Sequence, residues 1–232
     1  MRLRSILTLA FFAIALPAAY TQLNIETGFD WLAVRDPGLD QAIALHNDQQ
    51  NYTRDFADLD HLFGFRLGTR YYFKGPVYAG LAWTVHLQSN KATNPEGKGN
   101  LTRRIYLQSH TWQTMLGASG RRVGIGTALS YDLVSTRHKW ENESRSVRLD
   151  REGGLHQEAW LEWLLPGTSN VQLSLQPYAR YQYGNRTTVR LQQWLNDEAT
   201  DASGLQAWSY GIRIVLVNGP KQIGRASCRE RV

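Results

Sequence analysis

The chain has 232 residues and is polar on average, with a mean hydropathy of −0.42, yet it carries 8 Trp, 11 Tyr and 7 Phe. That pairing excludes a bundle of transmembrane helices and suits strands with one apolar face. The formal charge of +6 is an end effect: without Arg2 and Arg4, and without the tail holding Arg225, Arg229 and Arg231 against Glu230, it falls to about +2, giving no ground for a nucleic-acid partner.

Residues 1–21 read as a secretory signal peptide. Arg2 and Arg4 form its positive start, Ile6 to Leu16 its apolar run, and Pro17-Ala18-Ala19 its small-residue cleavage zone, with cleavage expected between Ala18 and Gln22. The apolar run is shorter than the roughly 20 residues a spanning helix needs.

From Leu23 onward the signal is alternation with period 2. Leu23, Ile25, Phe29, Trp31 and Ala33 oppose Asn24, Glu26, Gly28 and Asp30. Across His61 to Phe73 the apolar set alternates with Gly64, Arg66, Gly68 and Arg70, and across Val77 to Gln88 with Gly80, Thr84 and His86. A fourth strand, about Arg104 to Leu116, has ambiguous faces, because Ile105, Leu107 and Met115 compete with Tyr106, Trp112 and Leu116; a bulge could switch the face there. Val123 to Leu133 alternates with Gly124, Gly126, Ser130 and Asp132, Leu155 to Leu165 with His156, Glu158, Trp160 and Glu162, Val171 to Tyr183 with Gln176, Tyr178 and Arg180, and Trp208 to Leu216 with Gly211 and Arg213. Pro177 is a blemish, since proline lacks a ladder donor. The glycines of Gly124-Ile125-Gly126 lie in a strand and are read as relieving interior crowding rather than cradling phosphate.

Eight strands of about 11 to 13 residues exceed the 5 to 6 of ordinary globular strands and match the 9 to 11 that cross a bilayer. The connections alternate. Arg35 to Asp60, Ser89 to Arg103, Ser135 to Gly154 and Gly184 to Gly204 are long, while Lys74-Gly75-Pro76, Gly117 to Arg122 and Pro166 to Asn170 are short. Such asymmetry belongs to outer-membrane barrels, whose short turns face the periplasm. The reading is an all-β fold, an eight-stranded antiparallel up-and-down transmembrane β-barrel over residues 22–222 as one domain. Thr136 to Arg151 keeps some alternation, so strands five and six are expected to extend beyond the membrane.

In signal peptide, alternating strands and loop asymmetry, most of Leu23 to Val217 resembles the small outer-membrane barrels of the OmpA, OmpX and OmpW type. The resemblance implies a cell outer-membrane location in a Gram-negative envelope and contact with outer-membrane lipid, lipopolysaccharide and the barrel-assembly machinery. One departure is that such proteins commonly close their last strand with an aromatic residue, whereas here Val217 is followed by Asn218-Gly219-Pro220. Residues 223–232, Ile223 to Val232, resemble the translation of a sequencing adapter and are read as a non-native tail, with the native end lost or lying near Gln222. Cys228 falls within that tail, so neither disulfides nor cysteine metal ligands are expected.

If the apolar sets face lipid, the interior receives Glu26, Asp30, Arg66, Arg70, Asp132, Glu158, Glu162, Arg180 and Arg213, which should pair, because a lone buried charge is costly. Such a network either fills the barrel as structure or gates a narrow channel for ions or small solutes. A lipid A-modifying enzyme would need a nucleophile, a base and an orienting acid; His86, Ser130, His156 and Glu158 are the right types, but no motif links them and no catalytic role is assigned. The histidines are too scattered for a metal site, and no cofactor is expected. Asn-x-Ser/Thr triplets at Asn51, Asn100, Asn142 and Asn185 fall in the long loops and are the main thread toward a soluble secreted protein; a lipocalin-like ligand carrier is the rival fold. The preferred function is structural or surface-interacting, exerted on outside ligands through the external loops.

Overall fold

The computed structural model describes residues 22–50, 52–73, 75–93, 102–166, 171–184, 189–196 and 207–218. The segments expected to be a signal peptide and a non-native tail, residues 1–21 and 223–232, lie outside the described residues. Eight strands, β1 (Gln22–Ala33), β2 (His61–Tyr72), β3 (Val77–Thr93), β4 (Thr102–Ser119), β5 (Val123–Trp140), β6 (Val147–Leu164), β7 (Val171–Gln182) and β8 (Trp208–Asn218), pair in chain order, all antiparallel, and β8 returns to β1 to close the barrel.

The closure explains the alternation. Each strand needs one face for lipid and one for a narrow interior. Leu23, Phe29, Phe63, Leu81, Ile125 and Ile214 point outward and are at least half exposed, while Glu26, Arg66, Arg70, Asp132, Glu158 and Arg213 on the opposite faces are buried. Apolar outside and charged inside is the reverse of a ligand carrier in water, so the lipocalin-like alternative falls. No helix among the described residues is long and apolar enough to cross a membrane.

Large interior side chains are admitted by glycines directly across the ladder. Gly126 pairs with Trp160 and Gly211 with Tyr178, and a Cβ at either glycine would lie 2.2 Å from the facing ring. Pro177 faces outward; the β6–β7 ladder is interrupted beside it but keeps its register on both sides.

Two expectations are corrected. First, β4 contains no bulge: its register is continuous with β3 from Thr102 to Ala118 and with β5 from Arg103 to Ser119. Its odd residues face inward throughout, with Thr111, Gln113 and Met115 low in the barrel and Ile105 and Leu107 above them. The polarity of the surroundings inverts, not the strand. The bulge that does occur lies in the β5–β6 ladder at Thr136/Arg137. Second, two of the long connections are not simple loops. The first holds helix α1 (Pro37–Gln50) and the last holds helix α2 (Val189–Asn196). The signal for α1 stands in the sequence: Asp36 caps it, its Oδ1 accepting from the Leu39 amide at 3.1 Å, Pro37 occupies the first turn, and Leu39, Ala42, Ile43 and His46 recur on one buried face.

The strands also differ in length. β1, β2, β7 and β8 have 11 or 12 residues, enough to cross a bilayer, whereas β3 to β6 have 17 or 18. The additional residues, about 20 Å along the strand, raise a four-stranded wall on one side of the loop end. The segment after α1 lies inside this wall: Thr53 and Arg54 bond Thr93, Gln88 donates to the Asp58 carbonyl at 3.1 Å, and Asn90 donates to the Ala57 carbonyl.

Candidate functional site

Seven of the nine interior charges form one branched network through the membrane-spanning part, and Asp132 and Arg180 pair separately. Glu26 on β1 accepts from two arginines of β2, Arg66 Nε at 2.7 Å and Arg70 Nε at 2.6 Å. Arg70 also donates to Glu162 at 2.8 Å, and Gln176 donates to the same carboxylate at 2.8 Å. Arg66 donates to Gln113, which passes its own amide hydrogen to Glu158 at 3.0 Å. Glu158 accepts from Arg213 at 2.6 Å, and Arg213 reaches Asp30 at 2.8 Å, where Tyr178 also donates at 2.7 Å. His86 stands 3.4 Å from the same aspartate. Above this, Arg180 meets Asp132 at 3.1 Å and Ser209 at 3.1 Å. Arg213 stacks 3.9 Å over the Tyr178 ring and Arg70 lies 4.7 Å over Tyr78.

Every one of the nine charged residues placed inside by the strand pattern is buried, and each has an opposite charge within ion-pair distance. The neutral members Gln113, Gln176, Tyr178 and Thr84 were not singled out from sequence, although they share the inward sets; amides and phenols on a charged face are the signal that marks them.

Of the residues with hydrolytic chemistry, Ser130 and His156 sit directly opposite each other on β5 and β6, and His156 Nδ1 lies 3.6 Å from Asp132 Oδ2. Three residue types of a hydrolase thus converge, although their strands gave no motif. Ser130, Asp132 and His156 are all 2% exposed or less, and Asp132 is engaged by Arg180, so an acyl substrate has no approach to the serine oxygen. His86 and Glu158 belong to the Asp30–Arg213 part of the network instead. Among the described residues, no group of three or more His, Cys, Asp or Glu could hold a metal ion.

The loop end is filled differently. Leu39 and Ile43 of α1, Leu191 and Leu195 of α2, Phe56 and Leu59 of the connecting segment, and the strand residues Leu32, Leu62, Ile105 and Leu107 form an apolar cluster. Asn196 of α2 donates to the Ala42 carbonyl at 2.9 Å, and Asp150 of β6 accepts from the Leu191 amide at 3.1 Å in the first turn of α2, where a carboxylate is favoured. Arg103 of β4 fastens the plug to the wall. Its guanidinium lies 4.4 Å from the Trp140 ring and 4.2 Å from the Trp194 ring, and it donates to Tyr52 at 3.0 Å, with His46 Nε2 at 2.9 Å. Desolvation, and then Arg103 beside it, pulls His46 below the usual histidine range. Sequence reading missed this cluster because its parts come from connections that lack strand periodicity.

A closed eight-stranded antiparallel barrel, apolar outside and ion-paired inside, defines a transmembrane β-barrel of the outer-membrane type. No family model matches the sequence, and no curated protein matches it. Among solved structures it is similar to Ail, the attachment invasion locus protein of Yersinia pestis in complex with the heparin analogue sucrose octasulfate, at 12% identity over 86% of this chain and 97% of that one, with a TM-score of 0.47. It is also similar to a major outer membrane protein from Thermus thermophilus, at 11% identity over 86% and 99% of the two chains with a TM-score of 0.46, and to Neisserial surface protein A, at 10% identity over 84% and 96% with a TM-score of 0.41. At these identities and scores the likeness carries no activity or partner over to this chain.

Proposed function

We propose that this barrel is a closed membrane anchor that acts through its external surface and does not conduct. The observation that carries the reading is the double filling of its bore. In the membrane-spanning part, Glu26, Arg66, Arg70, Glu162, Glu158 and Arg213 are at most 2% exposed, and above them α1 and α2 close the mouth with apolar side chains. A gate would require these pairs to exchange partners. Arg66, Arg70 and Arg213 each hold two or more acceptors across different strands, so moving one disturbs several others.

In this reading residues 1–21 export the chain, the assembly machinery inserts it with its short turns toward the periplasm, and the plug and raised wall form a rigid outer face for ligands outside the cell. The buried Ser130 and His156 have a structural role. The test is planar-bilayer recording of the refolded chain, together with mass spectrometry of lipid A incubated with it. No unitary openings and unchanged lipid A are expected. Reproducible openings in the wild type would restore the channel. Deacylation that disappears in Ser130→Ala would replace the reading by an enzyme.

A further inference from the structure

The loop end carries its charges of opposite sign on two different sides. The positive side is the outer face of the raised wall. There Arg137 of β5 and Arg148 of β6 are directly opposed across the ladder, and Lys91, Arg104 and Lys139 form one row across β3, β4 and β5. Ser144, Arg145 and Ser146, in the turn joining β5 to β6, close a groove of about 770 Å³ over this face, with Tyr106, Arg137 and Lys139 among its other walls. The carboxylates of the turn are engaged locally. Glu141 accepts from the Thr102 amide at 3.0 Å, and this bonding first, then Arg104 and Lys91, holds its carboxyl below the usual range. Glu143 accepts from the Trp140 amide at 3.0 Å. Among the described residues, no carboxylate lies within ion-pair distance of Arg137, Lys139, Arg145, Arg148 or Arg151. Arg137 Nε is buried without a hydrogen-bond partner, and opposed like charges are unfavourable unless an anion comes between them.

The negative side is the first connection. Between β1 and β2 it carries Asp36, Asp40, Asp48, Asp55, Asp58 and Asp60 against Arg35 and Arg54, and Asp48, Asp55 and Asp58 are exposed. Its last part bonds Gln88, Asn90 and Thr93 on the extended portion of β3, and the Asp60 carbonyl accepts from the Val34 amide just beyond β1 at 2.9 Å. These carboxylates therefore stand above the membrane, as the cations do. They look out past β1 to β3, whereas the groove looks out from β4 to β6.

We infer that the barrel associates side by side with further copies of itself, the cationic groove of one copy receiving the Asp48, Asp55 and Asp58 side of the next. Copies inserted alike in one membrane share their height and direction, so the loop end of one can meet only the loop end of its neighbour. A two-fold contact through the wall would lay Arg137 and Lys139 against the same residues of the second copy, and like charges repel. Contact between the unlike sides is the arrangement that complementary charge favours. It uses two different surfaces and leaves one of each free, so the copies extend into a row or close into a ring. The inference goes beyond the reading of a closed anchor and does not depend on whether the barrel conducts.

The test places the full chain in phosphatidylcholine vesicles, labelled with a donor or an acceptor dye at its single cysteine, Cys228, and reads energy transfer between copies. The wild type should show transfer above the level of random mixing, falling to that level in about 1 M salt, where charges are screened beyond roughly 3 Å. R137E/K139E/R145E alone and D48K/D55K/D58K alone should each associate about tenfold or more weakly. Mixing the two variants, one with donor and one with acceptor, should restore the transfer, because unlike charges meet again. Random-level transfer in the wild type overturns the inference. Undiminished association of the folded variants does the same, and so does a mixture of them that stays at the random level. If a triple variant does not fold, Arg145→Glu and Asp58→Lys, which lie outside the strands, are mixed in the same way, and transfer no higher in the mixture than in either alone overturns the contact. Carbodiimide, which joins Lys139 directly to a carboxylate in contact with it, should give the wild type a ladder of products beyond the dimer. A product that stops at the dimer overturns the joining of unlike sides.

Discussion

The two halves of this barrel's interior are built on opposite rules. In the membrane-spanning half the inward side chains are Glu26, Arg66, Arg70, Glu158, Glu162 and Arg213; at the loop end they are Leu32, Leu62, Ile105 and Leu107, packed against helices. Outside, the order is reversed, with Leu81 and Trp112 below and Arg137 and Lys139 above. What changes with height is the solvent on the outer face. Facing lipid, the strands place their apolar side chains outward and must satisfy polar groups within. Above the lipid the same strands form an ordinary globular core with apolar side chains inward. The inversion along β4, between Trp112 and Gln108 on its outer face, therefore marks the upper limit of the apolar belt.

The difference predicts two kinds of failure. A lesion in the lower half should be global, because Glu26 joins β1 to two arginines of β2 and, through Arg70, to Glu162 of β6. Glu26→Ala leaves Arg66 and Arg70 short of a buried counter-charge, and removal of one partner from such a pair costs about 3–5 kcal/mol. The refolded variant should lose its heat-resistant compact band on gels and unfold at markedly lower urea. A variant whose midpoint matches the wild type would show that the network contributes little to stability. Gly126→Ala should have the next largest effect. Its new methyl would meet the Trp160 ring, and overpacking of this kind costs about 1–3 kcal/mol. The companion change Trp160→Leu should recover part of the loss, and additive losses in the double variant would disprove the contact.

This contrast also sets what could be read from the sequence. The eight strands and the facing of the charged residues were legible because a lipid-facing strand has a strict period of 2 and because each arginine or glutamate in it has only one place to go. The legibility fails where the outer solvent changes. In β4, Ile105 and Leu107 share the inward face with Thr111 and Gln113, and a rule that equates apolar with outward turns that into a false bulge. The plug was hidden for another reason. Its apolar residues, Leu39, Ile43, Leu191 and Leu195, follow a helical period inside connections that charge and turn residues mark as loops. Of the two helices, only α1 carries an N-terminal signature, Asp36-Pro37, strong enough to have been recognised. The meeting of Ser130 with His156 depends on register, which no single strand encodes.

A lesion in the upper half should by contrast be local. Arg103→Ala removes the cation between Trp140 and Trp194 together with its contacts to Tyr52 and His46. A desolvated cation–π contact is worth about 2 kcal/mol, and here that loss falls on the plug. Amide exchange in α1 and α2 should accelerate while the heat-modifiable band and the urea midpoint of the barrel stay near the wild type. If barrel and plug instead weaken together, the two halves are one cooperative unit and the division drawn between them fails.

The smallest expected effect is a pH dependence confined to the plug. Burial, and then repulsion from Asp58, Asp36 and Asp60, pushes Asp40 up to about 6 from its ordinary 3.8, with Arg35 opposing weakly. Folded α1 therefore holds a proton that the unfolded segment releases, so the stability from this group is present at low pH and is lost as pH rises from about 4 through 6. His46 acts in the opposite sense. Its pKa is lowered in the folded state, so its contribution is present above its ordinary 6.5 and is lost as pH falls below that value. Where the two windows overlap, below about pH 6, the two partly cancel, and the wild-type plug should show only a shallow dependence. Asp40→Asn should expose the histidine alone, so that exchange protection of Leu39 to Ile43 rises with pH, while His46→Gln should expose the aspartate and make protection fall. Both slopes are read from intrinsic-rate-corrected amide exchange. If the two variants share the slope of the wild type, the carboxylate and the imidazole are not coupled to closure of the mouth, and its stability rests on the apolar contacts of Leu39, Ile43, Leu191 and Leu195 alone.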